Sequence, residues 1–235
     1  VTVDKGLSIR QKRKSLGNQI YEQLRDDIVY MRLKPGQMIY EKEIAERLEV
    51  SRTPVREAFR LLENEQLIEI RPQRGTLVRR ISVRKVHEAR FIREHLEEGA
   101  FRLAATVWQT QATADDEANL EKLLKMQEAA ASENDAEELL RLDEAFHRAI
   151  MSVTQNETLL QVIGHMRAHL NRVRYLALKE SRHMSRIPEE HREIMEAIRS
   201  GDAARTSVLL STHIGKLAYD MKELVAIYED YFDPA

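Results

Sequence analysis

The stretch Glu43-Ile44-Ala45-Glu46-Arg47-Leu48-Glu49-Val50-Ser51-Arg52-Thr53-Pro54-Val55-Arg56-Glu57-Ala58 decides how the first third of this chain folds. Two apolar sets recur at helical spacing, Ile44, Ala45 and Leu48, then Val55, Ala58, Phe59 and Leu62, with only a tight connection between them. The first set predicts a short helix over about 41–48. The second predicts a helix opening near Thr53-Pro54, where Thr suits a cap and Pro suits the first helical turn. Upstream, Ile20, Leu24, Ile28 and Met31 predict a helix over about 17–32, stopped by Leu33-Lys34-Pro35-Gly36. Downstream the period changes: Leu67-Ile68-Glu69-Ile70 and Thr76-Leu77-Val78 read as two strands flanking Arg71-Pro72-Gln73-Arg74-Gly75, a hairpin with a basic tip. Three helices and a hairpin make a winged helix-turn-helix over 17–80. Residues 1–16, with Lys12, Arg13 and Lys14 together, read as a basic arm.

Beyond Ser82 the chain reads as helix throughout, with one proline, Pro188, between 83 and 233. Six helices are expected, at about 83–108, 113–132, 135–154, 157–182, 188–200 and 202–231, with Asn134, Asn156 and Asp202 placed as N-caps. The fold class is therefore mainly α. A winged helix-turn-helix is followed by a linker at 81–86 and an all-α six-helix bundle over 87–235.

Charge is divided along the same boundary. Residues 1–80 hold 17 Lys and Arg against 12 Asp and Glu, a balance of +5, and 81–235 hold 20 against 27, a balance of −7. A basic module joined to an acidic one points to a polyanion partner for the first. The 235 residues include no cysteine, which removes disulfides and thiolate metal sites and leaves His, Asp and Glu as ligands. No apolar run reaches the roughly 18 residues of a membrane span, so the expected location is the cytoplasm, with no membrane partner.

In a unit of this kind the second helix of the pair enters the major groove by its N-terminal end. Arg52 and Arg56 lie four apart on one face of that end and present planar donor forks to guanine edges or phosphates. Ser51 and Thr53 suit phosphate contacts, and Arg74-Gly75 at the wing tip suits close approach to the backbone or minor groove. The quoted stretch, with the wing at 71–75, resembles the winged-helix signature of GntR-type regulators. That resemblance implies DNA contacts at Lys42, Ser51, Arg52, Thr53, Arg56, Arg74 and Gly75. Glu49 and Gln66 stand where the family often has Gly; left-handed backbone there would cost roughly 1–2 kcal/mol.

Farther on, Asp143 and His147 lie four apart on one helix, beside an apolar stripe of Leu139, Leu142, Phe146 and Ile150. His191 and His213 fall on the last two helices. An Asp oxygen and three imidazoles can hold a divalent cation, although by spacing alone His165 and His169 form an equally good pair. The Asp-x-x-x-His run, Glu190-His191-Arg192-Glu193-Ile194 and Thr212-His213-Ile214 resemble the metal motifs of the FCD ligand-sensing domain in the FadR branch of the GntR family. Six helices resemble its VanR-like subgroup. The resemblance implies a metal on Asp143, His147, His191 and His213, zinc before nickel or manganese, and a small carboxylate or sugar-acid-related effector. It also implies Arg93, with Arg172 and Arg174, facing that effector, and a homodimer on double-stranded operator DNA. The reading is a regulator, in the first instance a repressor, of a catabolic operon, and not an enzyme. Ligand would act on the DNA-binding units through the Ile81–Val86 connection. Two alternatives stand beside it: a winged-helix protein whose metal is purely structural, or with no effector at all, and a metal-dependent hydrolase.

Overall fold

A computed structural model describes residues 15–180 and 184–234. The basic arm lies outside the described residues except for its last two. Of these, Ser15 caps the first helix by accepting a hydrogen bond from the Asn18 amide, 3.2 Å.

The amino-terminal unit contains α1 (Leu16–Val29), β1 (Met38–Ile39), α2 (Glu41–Arg47), α3 (Arg52–Asn64), β2 (Ile68–Arg71) and β3 (Gly75–Val78). Val55, Ala58, Phe59 and Leu62 of α3 are completely buried against Leu24 and Ile28 of α1 in one apolar cluster. A large apolar side chain buried this fully stabilises the fold by about 1.5–3 kcal/mol. The strands form an antiparallel sheet in the order β1-β3-β2, with Met38 opposite Leu77 and Arg71 opposite Gly75. Strand β1 was not expected, because two residues are too few to display alternation. Helix α3 starts earlier than Thr53-Pro54 implied: Ser51 is the N-cap and forms no side-chain capping bond, and Pro54 sits within the first turn.

The helical domain holds α4 (Val83–Gln111), α5 (Ala114–Ser132), α6 (Ala136–Ser152), α7 (Glu157–Glu180), α8 (Arg186–Arg199), α9 (Ala203–Gly215) and α10 (Leu217–Ile227), then a 3-10 turn at Glu229–Tyr231. The expected final helix over 202–231 is thus divided at Lys216, directly after Gly215, which gives a helix little support. Asp202 caps α9 and the carboxamide oxygen of Asn156 accepts from the Leu159 amide, as expected. Asn134 does not cap: it takes a left-handed φ of 54°, and its neighbour Asp135 caps α6. Left-handed residues close a helix where an amide or short side chain tolerates the conformation.

The 81–86 connection is not free chain. Helix α4 begins at Val83, and Ile81 is buried and bridged to the C-terminal segment, donating to Tyr231 O at 2.7 Å and accepting from Asp233 N at 3.0 Å. One apolar cluster also runs from the winged unit into Leu139, Leu140 and Leu142 of α6 and Ala168 of α7. The two units are therefore packed face to face.

Candidate metal centre and nucleic-acid interface

Helix α6 carries Asp143 and His147 one turn apart, α8 brings in His191 and α9 His213, and one donor atom from each lies within 4.8 Å of every other. The Nε2 atoms of His147 and His191 are 3.4 and 3.3 Å from that of His213. Asp143 Oδ1 is 3.6 Å from His191 Nε2, 3.6 Å from His213 Nε2 and 3.9 Å from His147 Nε2. Asp143 is 1 % exposed, and His147 and His191 are fully buried.

The outer nitrogen of each ring is already engaged. His147 Nδ1 donates to Glu97 Oε2 of α4, 2.6 Å, and His213 Nδ1 to Glu190 Oε2 of α8, 2.8 Å. His191 Nδ1 donates to Gln127 Oε1 of α5, 2.6 Å. Gln127 uses its own amide N–H on Leu142 O, 3.1 Å, which leaves its oxygen as the acceptor for His191. Phe146 stacks on the His191 ring at 4.2 Å between centroids and fixes its plane. With Nδ1 protonated on each ring, three Nε2 lone pairs and Asp143 Oδ1 converge on one point. Among the described residues that oxygen has no hydrogen-bond partner. Acceptors facing acceptors in a buried space call for a cation.

Electrostatics agree for two of the three rings. Burial lowers the pKa of His147 to about 4 and holds that of His191 well below its ordinary value. Both are neutral, as a ligand must be. Burial also opposes a charge on His213, but Asp143 and Glu190 outweigh it and raise its pKa. Burial works against the Asp143 and Glu97 carboxylates too. Arg174 and His147 nonetheless hold Asp143 well below the usual range, and Arg93 and His147 do the same for Glu97. The sulfur-free Asp and three-His set fits zinc, nickel or manganese.

Of the three arginines expected here, two arrive. Arg93 binds Glu97 at 3.1 Å and lies 3.9 Å from Asp143 Oδ2, and Arg174 donates to that same oxygen. Arg172 does not. It lies about 200° around α7 from Arg174 and donates instead to Arg79 O, 2.8 Å, and His169 Nδ1, 3.1 Å. Its assignment to the effector is therefore corrected. The rival pair His165 and His169 is also excluded: His165 is exposed and bonded to Gln161 O, and His169 to Glu65 O. Sequence reasoning missed Glu97, Gln127, Glu190 and Arg167. For Glu97 a signal existed, since it follows Arg93 by one helical turn.

On the other unit, Arg52 and Arg56 project from the start of α3, 61 % and 54 % exposed, and both grip Glu41 at the start of α2, each at 3.2 Å. Lys42 is exposed, with Glu46 at 3.7 Å. Ser51, Thr53 and Arg74 are also exposed. The shared Glu41 brings Arg52 and Arg56 together at the start of α2, and Arg74 lies at the wing. Gly75 has a reason internal to the fold: its φ is 102°, and a Cβ there would stand 2.6 Å from the Tyr40 ring. Glu49 and Gln66 are both left-handed, at φ 54° and 58°.

Residues 16–78 match the family described as bacterial regulatory proteins, gntR family, and residues 88–216 match the FCD domain. The chain is 30% identical over 217 residues to the HTH-type transcriptional repressor RspR of Escherichia coli (strain K12), covering 92% of this chain and 93% of that one. It is 28% identical over 213 residues to the Uxu operon regulator of Haemophilus influenzae, covering 82% and 76%. In fold it is similar to the solved structure of E. coli McbR/YncC, with a TM-score of 0.78, 24% identity and coverage of 92% and 100%.

Proposed function

Because this chain belongs to the gntR family of bacterial regulatory proteins and carries an FCD domain, we propose that it is a metabolite-responsive repressor whose effector is a small carboxylate, of the sugar-acid kind, held at a metal centre. The family and its relatives are transcriptional regulators, not enzymes. The observation that carries the sensing role is the convergence of Asp143, His147, His191 and His213 on one point, with Asp143 Oδ1 left unpartnered.

A divalent cation, when bound there, supplies a Lewis-acidic charge that attracts a carboxylate. The chain's own residues do the rest. Glu97, Gln127 and Glu190 hold the imidazoles in the ligating tautomer. Arg93 and Arg174, both engaged on Asp143, are the cations an anionic effector would compete for. At the other end, Lys42, Ser51, Arg52, Thr53, Arg56 and Arg74 meet operator DNA, with α3 in the major groove. Two copies, as a homodimer, read two half-sites. The FCD domain with its Asp and three-His set supports assigning the protein to the FadR branch.

The near-complete burial of the four ligands favours a second reading, in which the metal only braces the bundle. One experiment separates the two. Metabolite carboxylates are screened by thermal shift on zinc-loaded protein, and hits are tested on binding to DNA from the chain's own promoter region. A carboxylate that raises the melting temperature and changes DNA affinity supports sensing. Tight DNA binding indifferent to every carboxylate that binds would leave the structural metal, and no DNA binding in dilute salt would end both readings.

A further inference from the structure

Helix α7 bears two rows of polar side chains that serve different halves of the molecule. Arg167, Asn171 and Arg174, at helical spacing, face the metal centre. Arg174 donates to Asp143, Arg167 lies 3.8 Å from Glu97 Oε1 and 3.7 Å from Glu144, and Asn171 donates to Glu144. His169 and Arg172 lie on the other side and face the DNA-binding unit. His169 Nε2 donates to the backbone oxygen of Glu65 at 2.7 Å, and Glu65 is the residue that ends α3. Arg172 donates to the other nitrogen of the same imidazole and to Arg79 O, just past the end of β3. Glu65 is gripped a second time: its carboxylate accepts from Arg25, 3.1 Å, which also bonds Gly164 O of α7, 2.9 Å.

Arg172 is costly for a purely structural part. It is fully buried, and among the described residues its two acceptors are a carbonyl and an imidazole and its Nε has no partner. A side chain that only had to fill this space would do so at lower cost as Met or Leu. What an aliphatic chain cannot supply is direction. Hydrogen bonds weaken steeply with distance and angle, so a small shift of α7 makes or breaks these contacts while apolar packing would tolerate it.

We propose that α7 is a rigid transmission element, and that His169 and Arg172 are the positioning residues through which the state of the Asp143 centre reaches the end of α3 and the wing. This inference rests on the metal-centre reading above, and it adds a direct route beside the chain connection at Ile81. A shift at Arg167, Asn171 and Arg174 moves His169 and Arg172 with it, because all five share one continuous helix. The coupling free energy is the difference in these contacts between the two states.

The test is amide hydrogen exchange on the full chain, with zinc or with chelator, in wild type, Arg172→Met, His169→Leu and His169→Gln. Melting curves first establish that each variant is folded. In wild type, zinc should slow exchange near His147, His191 and His213, and also about fivefold or more over residues 62–71. Arg172→Met and His169→Leu should keep the first effect and lose the second, and His169→Gln, which can still donate to Glu65 O, should restore part of it. Persistence of the remote slowing in both disrupting variants overturns the relay. Local slowing without any remote effect in wild type overturns the relay alone. If zinc leaves the four ligands' own helices unchanged, the metal-centre reading falls with it.

Discussion

Withdrawing the metal is expected to lower the thermal stability of the helical domain by an amount the geometry allows to be worked out. A tetrahedral ion with metal–nitrogen bonds of about 2.0–2.1 Å has ligand–ligand edges of about 3.4 Å. The imidazole nitrogens already stand 3.3 and 3.4 Å apart, and Asp143 Oδ1 is 3.6–3.9 Å from them. Both nitrogen pairs at His213 already match that edge, the carboxylate has to close in by a few tenths of an ångström, and all four atoms lie within 4.8 Å of one another. Binding relieves a buried unpartnered oxygen worth about 1–3 kcal/mol. At a free zinc concentration a hundred times Kd the gain is about 2.7 kcal/mol. For a chain of this size that is about 5–10 °C in melting temperature. The assay is thermal unfolding of chelator-stripped protein with and without added zinc, repeated on a His191→Ala, His213→Ala double variant, with metal content measured alongside. Wild type should show the shift and the double variant should not. A full shift with undiminished metal content in the double variant would refute the assignment of the ligands.

Three further outcomes are expected. Glu49→Gly and Gln66→Gly should each stabilise the winged unit by roughly 0.5–1 kcal/mol, the left-handed strain relieved less the added chain entropy of Gly; Ala at either position should not, and equal melting temperatures for Gly and Ala would remove strain as the cause. Arg52→Ala should cost roughly 1–3 kcal/mol of specific DNA affinity, and an equal loss on all duplexes in a competition assay would make Arg52 a phosphate contact only. Burial, reinforced by Arg172, holds the His169 pKa at about 4, below the unfolded value of about 6.5, so the unfolded chain takes up a proton that the folded one refuses. Stability accordingly falls as pH drops through this window, by about 2 kcal/mol from pH 7.5 to 5. In denaturant titrations of zinc-saturated protein His169→Gln should flatten the fall by that amount, and an unchanged slope would contradict the shift.

What could be read from the chain alone follows a physical line. The winged unit was legible because its signals are local: periodicity at Ile44–Leu62, a stop at Pro35-Gly36, a change of period at Leu67. The four proposed metal ligands were legible only through a resemblance, since eight histidines leave spacing ambiguous. Gln127 and Glu190 escaped because each matters through what another helix brings to it, and nothing in their own surroundings marks them; Glu97 was marked only by Arg93 one turn before it. Arg172 was misassigned for a related reason. Arg172 and Arg174 look alike as a sequence pair, yet a two-residue step on a helix turns the side chain to nearly the opposite side. The break at Lys216 was marked only by Gly215, and the backbone there stays helical, at φ −58° and ψ −36°.

Glu41 gives the reading head a built-in competitor. Its carboxylate occupies both guanidinium forks of Arg52 and Arg56 in the free protein, as a phosphate oxygen would. If Arg52 and Arg56 contact DNA as proposed, a duplex must displace it before those forks are available, and then leave a nearby anion facing the sugar-phosphate chain. Random DNA, which offers only phosphates, would exchange one anion for another and gain little. A cognate sequence offers base edges in addition, so the acid would lower affinity for all DNA alike and leave base contacts to lift the right sequence above the level at which the protein stays bound.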